Sequence, residues 1–286
     1  LTIRSRSFLL KAFPISVLAK AFHVKPKFRS HERGPGGAAK PPSSDIAIFG
    51  FHAVAAAWLN PRRVCRRLLL TTAGKKTLDE ILPQARKLNV RRPDFEMVEH
   101  STLDKLVPSG AVHQGIVLTV EALPEPDLED VLGDENEKAC LIVLDQVTDP
   151  HNVGAILRSA SAFGAKALLV TERHAPATTG TLAKAASGAL EHVPIVRVSN
   201  LAQSLGILQK ANYWCIGLDE SGPNNLHQIK MPQKVALVLG AEGEGLRRLT
   251  RERCDEIARL PTKPPIGSLN VSNAAAVALY EVMRKE

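Results

Sequence analysis

Cysteine is scarce in this chain and nowhere clustered. The four, Cys65, Cys140, Cys215 and Cys254, are spread over 286 residues. A zinc-type spacing is absent, and no other cluster of metal ligands stands out, so no metal is expected. Cys140 in ACLIVL and Cys215 in YWCIGL fall inside apolar, strand-like runs. They read as buried free thiols in a reducing compartment. No apolar run approaches the length of a membrane span, which removes the membrane as a partner. The glycines are sparse in pattern too. GxGxxG, the fingerprint of dinucleotide binding, is missing, and so are GxGxG and GxxxxGK[ST]. Ordinary Rossmann-type methyltransferases and nucleotide hydrolases are thereby disfavoured.

Acid is nearly missing from residues 1–44, which hold nine Lys/Arg and one Glu. That segment alone accounts for the net charge of +8, since residues 45–286 hold 28 basic and 28 acidic residues. Residues 121–138 concentrate eight acids against one Lys, which leaves +4 on 45–120 and +3 on 139–286. A weak basic bias on both sides of an acidic segment is compatible with RNA binding without establishing it.

With 44% hydrophobic residues the composition is globular, and the length suffices for two cores. Residues 1–44 end in GPGGAAKPPSS and read as a basic, disordered arm. Their composition also suits a mitochondrial transit peptide, which would move the expected location from the cytoplasm to the mitochondrial matrix. Residues 45–120 read as a small α/β unit. FGFHAVAAAWL is a helix, RRLLLTT a strand, TLDEILPQARKL a helix that Pro83 kinks or shortens, STLDKLV a short helix and GIVLTV a strand. Arg62, Arg63, Arg66 and Arg67 form a basic run, either a solvated face or a set of phosphate contacts. Residues 121–138 read as an acidic linker. From 139 to 286, apolar strands alternate with helices: ACLIVLD, AKALLVT, VPIVRV, YWCIGLD, KVALVLG and EIARLP. Such strands imply a parallel sheet covered on both faces, with ligands beyond its carboxyl ends.

Three of those ends are chemically loaded. After ACLIVLD comes QVTDPHNVGAILRSA, where Asn152 is a plausible helix N-cap and Arg158 lies two turns on. After KVALVLG comes AEGEGL, where glycines would let backbone approach a ligand and Glu242 would point a carboxylate into the same space. After EIARLP comes TKPPIGSLNVS, a helix start with more polar residues than a cap needs.

Taken together, the three segments resemble the SpoU branch, or TrmH family, of the SPOUT RNA methyltransferases. Its N-x-G-x-x-x-R motif is matched by Asn152, Gly154 and Arg158. Its G-x-E-G-x-G is matched by Gly240, Glu242, Gly243 and Gly245, and its S-L-N-V-S by Ser268 to Ser272. Residues 45–120, with FGFHAV and HQGI, resemble the small L30e-like RNA-binding domain of the subgroup that modifies a guanosine of 23S ribosomal RNA. The resemblance implies a parallel sheet with a C-terminal trefoil knot, a homodimer, and S-adenosylmethionine (SAM) as methyl donor to a ribose 2′-hydroxyl. It implies catalytic roles for Arg158, Asn152, Glu242, Ser268 and Asn270. It implies SAM contacts at Leu239, Gly240, Gly243, Leu260, Ser268 and Leu269, and RNA contacts at the four arginines. Arginine stays protonated, so both a base and a phosphate clamp remain open for Arg158. The family usually has I-P-M-x-G before the serine motif. Here Thr262 replaces the Met and Pro264 the Gly, which puts SAM affinity in question. A tRNA target, a mitochondrial ribosomal target and a catalytically silent RNA-binding protein are the alternatives.

Overall fold

The computed structural model describes residues 45–284 apart from 80, 89, 136 and 266, and no side chain at 82 or 86. The basic arm expected at 1–44 lies outside the described residues.

Two sheets form. The smaller has the order β1 (Ile46–Phe49), β4 (Ile116–Val120), β2 (Cys65–Leu70), β3 (Phe95–Met97). Its first two pairings are antiparallel and the last is parallel. Helix α1 (Phe51–Leu59) buries Ala53, Val54, Ala57 and Trp58 against this sheet at three-to-four spacing. The helix expected over 77–88 is two short ones, α2 (Thr72–Leu78) and α3 (Leu82–Lys87). Pro83 sits in the first turn of α3, where its missing N–H costs nothing. A short α4 (His100–Asp104) completes the unit.

The larger sheet is wholly parallel. Its strands are β5 (Ala139–Asp145), β6 (Ala167–Thr171), β7 (Ile195–Val198), β8 (Trp214–Leu218), β9 (Asn224–Asn225), β10 (Lys234–Gly240) and β11 (Glu256–Arg259). They run in the order β7-β6-β5-β10-β8-β11-β9. All seven residues of β5 are buried, as expected of a central strand covered on both faces. Helices α5 (Pro150–Phe163), α6 (Gly180–Ala185) and α9 (Val271–Met283) lie with the larger apolar cluster. Helix α7 (Leu201–Lys210) buries Leu201, Leu205 and Leu208 in the second cluster, and α8 (Arg248–Arg253) follows the loop after β10.

The acidic segment 121–138 is folded onto the larger sheet. A 3-10 turn at Leu128–Val131 buries both its end residues, and Tyr213 donates its hydroxyl proton to the Leu132 carbonyl at 2.9 Å. Arg197 pairs with Glu125 at 2.9 Å, and Lys166 with Glu137. The acids that read as a linker thus include partners of basic residues on the sheet.

Candidate active site

Asp145, at the carboxyl end of β5, is completely buried. Its carboxylate accepts from the Arg247 backbone N–H at 3.0 Å and from Arg247 Nε at 2.6 Å. This ties the loop after β10 to the end of β5. The same loop closes on itself, with Ala241 bridged to Gly245. A Cβ on Gly240 would stand 2.1 Å from the Gly245 carbonyl, so glycine here makes room for the loop's own backbone. That differs from the expectation of room for a ligand, although the two uses are compatible. Nothing in the sequence marked Asp145, because its partner is 102 residues away.

The closed loop holds Glu242 over the start of α5. Asn152 Nδ2 donates to Glu242 Oε1 at 3.2 Å. Asn270 Nδ2 donates to Asn152 Oδ1 at 3.0 Å and to Glu242 Oε1. Three residues from three strand ends therefore meet. The expected N-cap at Asn152 is instead Asp149, whose carboxylate accepts from His151 N. Asn152 lies inside the first turn, which frees its amide for this contact. Asn270 does cap α9, accepting from Ser272 N at 2.9 Å through its oxygen while its nitrogen serves the trio. The polar helix start is thus cap and site at once.

Leu239 is buried at the end of β10, and Gly240 and Gly243 follow it. Leu260 follows β11 in the loop that leads to Ser268 and Leu269. Ser268 and Leu269 are exposed. Thr262 donates its hydroxyl proton to the Gly267 carbonyl, closing this loop at its base.

Arg158 stands apart from the trio. Six helical residues rotate it by about 240° and carry it roughly 9 Å along the axis from Asn152. It lines a shallow cavity of about 350 Å³ together with Ala155, Ser159, Ala185, Ser272 and Asn273. Among the described residues it has neither a hydrogen-bond nor an ion-pair partner. Gly154 lets α5 cross α6 closely, since a Cβ there would lie 2.4 Å from Ala185 Cβ.

The arginine run divides. Arg63 is 2% exposed. Its guanidinium binds Glu191 at 2.6 Å and 3.2 Å and the Glu121 carbonyl at 2.8 Å. A phosphate contact there is excluded by burial, and Arg63 instead joins the small sheet's unit to the large one. Arg66 pairs with Glu121, and Arg67 forms a two-pronged pair with Glu96 at 2.7 and 2.6 Å. Arg62 is exposed.

One trio among the described residues has metal-like proximity: His100, Asp104 and His113, with ligand atoms within 4.8 Å of one another. Gly115 N–H donates to His113 Nδ1 at 3.0 Å, so the proton of a neutral ring sits on Nε2, facing Asp104 at 3.2 Å. A protonated nitrogen has no lone pair for a metal. The trio is a hydrogen-bonded bracket.

The model of the SpoU rRNA Methylase family matches residues 139–280. That of RNA 2′-O ribose methyltransferase substrate binding matches residues 47–126. The chain belongs to the SpoU rRNA methylase family. Its relatives include the 23S rRNA (guanosine-2′-O-)-methyltransferase RlmB of Escherichia coli, 40% identical over 83% of this chain and 98% of that protein. The Pasteurella multocida RlmB is 42% identical over 83% of this chain and 97% of its own length. Among solved structures, the SpoU methyltransferase AviRb of Streptomyces viridochromogenes in complex with the cofactor AdoMet aligns with a TM-score of 0.70 and 26% identity. The alignment covers 84% of this chain and 89% of that one. In family terms, Asn152, Glu242 and Asn270 each come from one of the three SpoU motifs, and their hydrogen bonds make those motifs one structure.

Proposed function

We propose that the protein is a homodimeric, SAM-dependent methyltransferase that modifies the ribose 2′-hydroxyl of a guanosine in 23S rRNA. The meeting of Asn152, Glu242 and Asn270 carries this reading, supported by similarity to RlmB proteins over almost their whole length. The residues suit the adenosine part of SAM. The loops after β10 and β11 offer main-chain groups at Leu239, Gly240, Gly243, Leu260, Ser268 and Leu269, and Leu269 offers an apolar side chain left 42% exposed. When bound, SAM supplies an electrophilic methyl group on a sulfonium.

The chain's own task is to hold and orient. Asn152, Glu242 and Asn270 lock three loops into one wall, so that binding spends little free energy on ordering them. Ser268, beside them in sequence, faces solvent and is available to the ribose. Arg158 is free to clamp an RNA phosphate and stabilise the developing alkoxide, and the permanent charge of arginine side chains in general favours the clamp over the base.

Arg158 lies too far round α5 to serve the trio of its own chain, and this supports a dimer in which each chain completes the other's site. The face beside it is apolar and open. Val277 and Tyr280 of α9 are 47% and 59% exposed, and Tyr280 stacks edge-on with Phe163 at 6.1 Å. A trefoil knot in the C-terminal chain, an L30e-like small domain, RNA contact at Arg62 and a cytoplasmic location belong to the same reading. No helix of the described residues is long and apolar enough to cross a membrane. The test is incubation of protein, SAM and 23S transcript, followed by reverse transcription at low nucleotide concentration. A stop at a guanosine in an unpaired loop is expected. Methylation of a base, or of tRNA only, would overturn the assignment.

A further inference from the structure

Two motifs, FGFH at 49–52 and HQG at 113–115, lie apart from the three loops of the Asn152–Glu242–Asn270 trio. They meet at one corner of the small sheet. Gln114 Oε1 accepts from the Phe51 N–H at 2.8 Å. Gln114 itself sits at φ 57, a left-handed conformation that strains a non-glycine residue. Beneath it, His113 is buried and held by Asp104 and Gly115. The corner is over-determined, and what it presents is the first turn of α1, with His52 on it.

That turn leans on the end of α6. A Cβ on Gly188 would stand 3.2 Å from the His52 carbonyl and 2.7 Å from Ala56 Cβ. The same stretch, at Ala185, carries the crossing of α5 one turn before Arg158. The stretch 185–188 thus supports both the turn that carries His52, from the small unit, and the helix that carries Arg158, from the large one. Burial first, and the Arg158 charge second, hold the His52 imidazole below its ordinary value. Two basic side chains close enough to repel both gain from an anion that each can reach.

We infer that His52 and Arg158 form one anion-binding face, built from both units of a single chain, that grips a backbone phosphate at the target nucleotide, with Gln114 as the positioning residue. The identity of the anion as RNA phosphate rests on the methyltransferase reading. On this account the substrate-binding unit supplies part of the catalytic site as well as affinity.

The experiment is a double-mutant cycle read by binding of a 23S transcript at fixed salt, with SAM affinity measured alongside by calorimetry. His52→Ala is expected to weaken RNA binding about tenfold, the worth of one charge-assisted hydrogen bond, and to leave SAM affinity unchanged. His52→Gln, which keeps a hydrogen-bond donor, recovers most of the loss. Gln114→Ala reproduces part of it. In the His52→Ala/Arg158→Ala double variant the effects fall short of multiplying, because both side chains serve one phosphate. Wild-type binding by His52→Ala, failure of His52→Gln to recover, or independent multiplying effects would each overturn the inference. Methylation of the same transcript by the wild-type protein is scored separately. Its absence would strike the proposed function, while the binding cycle still decides for or against His52.

Discussion

Arg158 is the residue to which the proposed mechanism assigns the chemistry, and with no hydrogen-bond or ion-pair partner among the described residues its removal should be structurally mild. Arg158→Ala is expected to lower single-turnover methyl transfer by about 10²–10³, the usual loss of one transition-state donor, while melting temperature and SAM affinity stay near wild type. Turnover close to wild type would remove it from the mechanism. The thiols make a contrasting case. Burial pushes Cys140 up to about 12 and, with Asp255 adding to the effect, Cys254 to about 12 as well. At pH 8 both are protonated, so iodoacetamide should leave them unmodified in the native protein and label them in urea. Asp104 bears on acid stability. A hydrogen bond from His100 holds it below its ordinary value of 3.8, opposed by desolvation and assisted by His113. A depressed carboxylate contributes its stability above the unfolded value and loses it as pH falls through the folded one. The HQG corner should therefore loosen only below about pH 3.8, seen as loss of amide protection around His113.

Elements are joined here by a few close contacts, and those joints are where substitutions will cost most. Arg63 and Glu191 form a buried pair between the two units, with Asn60 Nδ2 donating to the same carboxylate at 2.7 Å. Glu191→Ala strands a buried guanidinium and should destabilise by about 3–5 kcal/mol, whereas Arg63→Met with Glu191→Leu should cost far less. Urea unfolding of the three proteins measures the difference. Equal losses would mean that the pair itself, rather than its breakage, supplies the stability. Gly240→Val should collapse the loop after β10, since its Cβ has no space beside Gly245. Loss of SAM binding with a modest fall in melting temperature is expected. Six of the seven strands of the large sheet were legible because each carries a short apolar run, whereas β9 is two asparagines and carries none. β3, Phe-Glu-Met, was not legible, because its three residues are all exposed and too few for their alternation to stand out. α8 was missed for a related reason: Arg248–Arg253 reads as a charged surface run, with Thr250 alone buried.

For the whole molecule, the open face of α5 and α9 is where added charge should split the proposed dimer. Tyr280→Glu with Val277→Asp should yield monomers in analytical ultracentrifugation, and methylation should fail with them if each chain completes the other's site. Active monomers would dismiss the shared site. Residues 1–44 carry the whole net charge of +8. Their deletion should flatten the salt dependence of RNA binding while leaving SAM affinity alone.

What the sequence determined by itself was local or periodic: the parallel sheet, from apolar runs; the start of α9, from its polar run at 268–272; the family, from three motifs whose spacing is preserved. What only the tertiary structure decided were the partnerships across large separations. Arg63 lies in a run that looks solvated, yet it meets Glu191, 128 residues on, and so cannot touch RNA. Asp145 acquires its role from Arg247, and Glu242, Asn152 and Asn270 acquire theirs from one another. A charged or polar side chain carries no mark of its partner in the linear sequence. Its cost or use is set by burial and by the group opposite, and both exist only after the chain has folded.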